Sequence, residues 1–202
     1  MNLFVRAGSW AAVTGGALLA AGALINLLPP SYEPDEFSQE VTTGSFAIAA
    51  TLRLIGIVLL TWGIMAICAR QADRLGSVGV VAVALTLTAF LLNGSIVFAD
   101  LFIAPSIAQR APEVLDGDAG GRLGTGFLLA WVSNLSFLLL GIVTLRRKVL
   151  GRAVGWALVI VGLCPALPID GTEIIIGAGI AVAGLATVRP RGAAPVEAVP
   201  VA

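Results

Sequence analysis

The chain has 202 residues, 58% of them hydrophobic and 12% charged, with a formal net charge of zero and no histidine. Soluble domains carry about 25% charged residues, so half that level points to a membrane protein, and zero net charge without a basic stripe argues against a nucleic-acid partner. Without histidine there is no His-ligated haem, no His-containing zinc site and no His-dependent acid–base chemistry, and the single lysine, Lys148, sits in a basic turn where a buried Schiff base is excluded.

The first apolar run (residues 9–28) exceeds the roughly 7–15 residues of a signal-peptide core, so it reads as an uncleaved membrane span. Ala12, Gly16 and Ala20 form a small-residue stripe suited to close helix packing, and Asn26 lies near the end of the run. Pro29-Pro30 stops the helix, and an acidic loop with Glu33, Asp35, Glu36 and Glu40 follows. The second span (45–69) contains Arg53 on the same face as Ala49, Gly56, Leu60 and Gly63. A small-residue face packs on other helices, so Arg53 is expected to point into the bundle.

A basic turn from Arg70 to Arg74 leads to the third run (76–103), which carries Asn93 and Asp100 on one stripe and is long enough to require tilt. A polar loop from Pro105 to Arg122 comes next. Its Asp116-Gly117-Asp118 start resembles a calcium loop, but Phe127 stands where the bidentate glutamate of an EF-hand belongs, so an ordinary turn is expected. The fourth span (123–145) has Asn134 at its middle, placed to hydrogen-bond a neighbouring helix, and ends in Arg146-Arg147-Lys148. The fifth (153–168) is short and meets Pro165 and Pro168; the sixth (172–188) is glycine-rich. Asp170 to Glu173 has capping-box spacing. Residues 189–202 form a tail expected to be disordered and cytoplasmic.

The fold expected is therefore all-α and polytopic, with six transmembrane helices in one domain (1–188). Arg6, Arg70, Arg74, Arg146, Arg147, Lys148, Arg152, Arg189 and Arg191 all fall on the side that carries both termini, which the positive-inside rule makes cytoplasmic. The acidic loops fall on the other side. Cys68 and Cys164 then lie in opposite leaflets, so no disulfide between them is expected.

Depth along each span follows from the 1.5 Å rise per residue. Arg53, Asn26, Asn93 and Glu173 all come out at roughly 22–26 Å from the basic end, and Asp100 at about 36 Å. An arginine facing the bundle at that depth needs acceptors, so Asn26, Arg53, Asn93 and Glu173, roofed by Asp100, form the candidate polar cluster. Snorkelling of Arg53 to headgroups or to the acidic loop is the competing reading. No carboxylate pair, thiol pair or phosphate-binding glycine loop supports catalysis, so no enzymatic activity, no cofactor and no metal are expected.

Thr51-Leu52-Arg53-Leu54-Ile55-Gly56-Ile57 resembles the arginine-bearing second span of an uncharacterised bacterial multi-pass family, domain of unknown function 4386. Leu140-Gly141, Leu145-Arg146, Leu150-Gly151, Gly155-Trp156 and Gly162 resemble that family's later hairpin. The resemblance covers about a quarter of the chain and implies architecture and the position of Arg53, not an activity. A bacterial plasma-membrane binding or accessory protein is expected, with a small-solute or ion transporter built on the Arg53 cluster as the alternative. The expected partners are the lipid bilayer and another membrane protein or second copy met through the Gly/Ala-rich helix faces.

Overall fold

The computed structural model describes residues 3–27, 36–69, 72–117, 121–148, 152–163 and 172–188, and the regular structure within them is entirely α-helical. In chain order the helices are α1 (Leu3–Leu27), α2 (Phe37–Glu40), α3 (Gly44–Ala69), α4 (Ala72–Phe102), α5 (Ala104–Ala108), α6 (Glu113–Asp116), α7 (Gly121–Ser133), α8 (Leu135–Arg147), α9 (Arg152–Leu163) and α10 (Thr172–Val188). Three of them, α1, α3 and α4, are long and apolar enough to cross a membrane. The expected tail, Cys164, the two prolines after it and the Asp170 cap fall outside the described residues.

Two breaks subdivide the long helical stretches. Gly76 has φ 63° and ψ −178°, which sets residues 72–75 apart from the long helix that follows. That left-handed φ costs glycine nothing and would strain a residue with a Cβ. The third run accordingly starts where the sequence places it. The fourth does not stay whole: Asn134 divides it into α7 and α8. Phe137 N–H donates to the Asn134 carbonyl at 3.0 Å, so the helix tightens to an i→i+3 turn there. The Asn134 side chain meanwhile accepts a bond from Asn93 on α4 at 3.2 Å.

The two stretches expected as polar loops contain α2, α5 and α6, which gather over one end of the bundle. Ser38 fastens them: its amide and hydroxyl both donate to the Asp116 carboxylate, at 2.8 and 2.7 Å. Beneath that clamp Val41 and Ala104 are buried, and Phe37 meets Phe46 of α3 edge-on with ring centroids 6.1 Å apart. This end is called the capped end below, and the end bearing Gly76 and Arg147 the basic end.

The longer helices close into a ring in the order α1, α3, α4, α8, α9, α10 and back to α1, with α7 continuing α8 along α4. Glycine decides how tightly the ring closes. On α1, Gly8, Gly15 and Gly22 recur every seven residues and face α3. A Cβ added to Gly15 would stand 2.8 Å from the Gly56 carbonyl oxygen, so the two backbones touch. Gly16 faces the other way, against Gly177 and Ala181 of α10. The stripe expected as one face is thus split, Ala12 meeting Gly63 of α3 while Gly16 and Ala20 meet α10. These small-residue faces are occupied within the bundle.

Leu60 of α3, Phe137 and Leu140 of α8, Val161 of α9 and Ile180 of α10 are almost fully buried at the centre. Phe90 of α4 joins them through an edge-to-face contact with Phe137, centroids 5.2 Å apart. Of the buried polar side chains, Ser9 returns its hydroxyl to the Val5 carbonyl and Thr86 to that of Ala82, which removes a donor from hydrocarbon, whereas the Ser136 and Thr144 hydroxyls are buried without a partner among the described residues. The outer faces carry Trp62, Val78, Leu91 and Ile160, each more than half exposed. So much apolar surface turned outward suits lipid rather than water.

Candidate functional site

Arg53 lies about two and a half helical turns into α3 from Gly44, its side chain 15% exposed, and its guanidinium Nη2 donates to Glu173 Oε1 in the first turn of α10. These two helices hardly touch directly, because α1 stands between them. Gly22 is what lets the arginine pass. A Cβ at Gly22 would come within 2.7 Å of Arg53 Cγ, so the bare glycine forms the floor on which the arginine stem lies. The ion pair therefore ties α3 to α10 across α1.

Two further carboxylates complete the surroundings. Asp100 near the end of α4 lies within electrostatic reach of Arg53, Glu173 and Glu40, the last at the end of α2. All four side chains belong to partly buried residues under the capped end. Of these carboxylates only Glu173 bonds the guanidinium, while Asp100 feels its charge and those of Glu173 and Glu40. The Arg53 Nε is buried without a hydrogen-bond partner, so the guanidinium is only partly satisfied. Among the described residues, no three Cys, Asp or Glu side chains gather closely enough to hold a metal ion.

The other expected members go elsewhere. Asn93 donates to the carbonyl of Ala89 at 2.8 Å and to Asn134 Oδ1, forming a second polar link, between α4 and the α7–α8 break. Asn26 is exposed and makes no hydrogen bond among the described residues. Depth along a span is fixed by the helical rise, but direction around the axis is fixed by which neighbour packs where. Equal depth therefore did not bring Asn26 or Asn93 to Arg53. Glu40 was placed only in the acidic loop; a short helix preceding a span leaves no periodic signal that would turn it inward. Gly22 had such a signal, the seven-residue recurrence with Gly8 and Gly15.

Outside the spans, Asp116 is the carboxylate with the clearest environment. The Ser38 hydroxyl and then the Ser38 amide hold its carboxyl below the usual range by bonding the charged form.

No family model, no curated protein and no solved structure matches the chain. The resemblance carried by residues 51–57 and 140–162 rests on those residues alone.

Proposed function

We propose that the chain is a non-enzymatic integral membrane protein of the bacterial plasma membrane that crosses the bilayer six times with both termini cytoplasmic. The spans are α1, α3, α4, α7 with α8, α9 and α10. The basic residues at the Gly76 end and the acidic residues of the capped end support this orientation. Its role is that of a binding or accessory protein whose capped end faces outward. One observation carries the reading: Arg53 is engaged by Glu173 and lies on Gly22, so its charge holds three helices together.

A second reading, a small-solute or ion transporter, is favoured by the surplus of carboxylates over guanidinium in the same group. One experiment separates the two. Arg53→Ala leaves Glu173 without its partner and is expected to lower stability to denaturant by about 3 kcal/mol, with most of the loss recovered when Arg53→Glu is combined with Glu173→Arg. Full stability of Arg53→Ala together with loss of a cation flux in reconstituted vesicles would instead establish transport.

A further inference from the structure

A second polar feature lies at the basic end, away from Arg53. A pocket of about 600 Å³ opens between the end of α8 and the start of α9, lined by Leu145, Lys148, Arg152 and Trp156. Lys148 closes α8 in a left-handed conformation, φ 52° and ψ 37°, and is the one non-glycine residue with positive φ among those described. That conformation ends the helix, with the Lys148 amide donating to the Thr144 carbonyl, and turns the chain toward α9.

The pocket carries positive charge that no ion pair among the described residues compensates. Arg146, Arg147, Lys148 and Arg152 are all exposed, and none forms an ion pair with a described residue. Because α9 begins at Arg152, the positive end of its dipole lies at the same place. An anion is what this geometry lacks.

The walls say which anion. Trp156 follows Arg152 by one helical turn and is 54% exposed, an indole at the depth where tryptophan favours the membrane interface. Beyond it the exposed stripe continues along α9 through Ile160 and Leu163. A free phosphate has no use for that apolar track, whereas a lipid has both a phosphate and acyl chains to lay along it.

We propose that this pocket seats the phosphate of an anionic phospholipid between Lys148 and Arg152, its glycerol against Trp156 and Leu145 and an acyl chain along Ile160 and Leu163. The site depends on α8 and α9 lying in the bilayer and is independent of what the Arg53 group does.

The test uses the full chain in neutral detergent, titrated with dioleoylphosphatidylglycerol, with dioleoylphosphatidylcholine or with inorganic phosphate while its melting temperature is followed. Phosphatidylglycerol is expected to stabilise well above the other two. Lys148→Gln with Arg152→Gln is expected to raise the half-saturating lipid fraction roughly thirtyfold, the loss of two interfacial charges. Arg74→Gln, an exposed cation at the same end outside the pocket, is expected to change nothing. Equal responses to the two lipids, stabilisation by inorganic phosphate alone, or an equal loss in Arg74→Gln each overturns the proposal. Should the double variant fail to fold, quenching of the parent's tryptophan fluorescence by brominated lipid decides: stronger quenching by brominated phosphatidylglycerol than by brominated phosphatidylcholine, and weaker in Trp156→Phe, supports the site, and equal quenching overturns it.

Discussion

Asp116 and Arg53 are both held by a single partner residue, in very different surroundings. Asp116 is exposed, and two bonds from Ser38 keep its carboxyl ionised to lower pH than in the unfolded chain. The clamp therefore contributes fully above the ordinary carboxylate pKa of about 3.9 and is lost as pH falls through the lower folded value. Hydrogen exchange followed by mass spectrometry is expected to show the Ser38 amide protected near neutral pH and opening only below about pH 4. In Asp116→Ala the same amide should exchange rapidly at every pH, and protection unchanged by that substitution would rule out the clamp. Arg53 was legible in the sequence as a residue needing acceptors, and Glu173 as one at its depth, because 1.5 Å per residue converts position into height. What surrounds Asp116 was not legible. Its partner is 78 positions away, on a helix of four residues.

At the scale of elements, the long apolar runs announce themselves by length and hydrophobicity, although α1 begins at Leu3, six residues ahead of the expected start, and the fourth run is split in two. α2, α5 and α6 have four or five residues each, too few for a 3.6-residue period to be read. The break at Asn134 was hidden for another reason, since Ser133, Asn134 and Ser136 are too few to interrupt the apolar average of the run around them. Glycine is where pattern and packing meet most closely. A Cβ on Gly177 would stand 2.9 Å from the Ala20 backbone nitrogen, whereas one on Gly126 would meet nothing within 4 Å. Gly177→Ala is accordingly expected to destabilise by about 1–3 kcal/mol, through the separation of α1 from α10. Gly126→Ala should gain up to about 1 kcal/mol from helix propensity. Unfolding of both variants in mixed micelles checks the contrast, and similar effects would refute the backbone contact.

The whole molecule is a closed ring whose two flanking helices on α1 come from opposite halves of the chain. The proposed orientation can be read with an impermeant maleimide on a background carrying Cys68→Ala and Cys164→Ala. Arg110→Cys is expected to label in intact cells, and Arg147→Cys only after lysis; labelling of the latter in intact cells would invert the topology. Closure of the ring has a consequence for how the protein is made. Arg53 and Glu173 are 120 positions apart. At about 5–20 residues per second, α3 leaves the ribosome roughly 6–24 s before its counter-ion exists. For that interval Arg53 is without the carboxylate that it bonds in the closed ring. A chain cut short before α10 never gains Glu173, so α3 and α10 are tied across α1 only in a copy that has been made through α10.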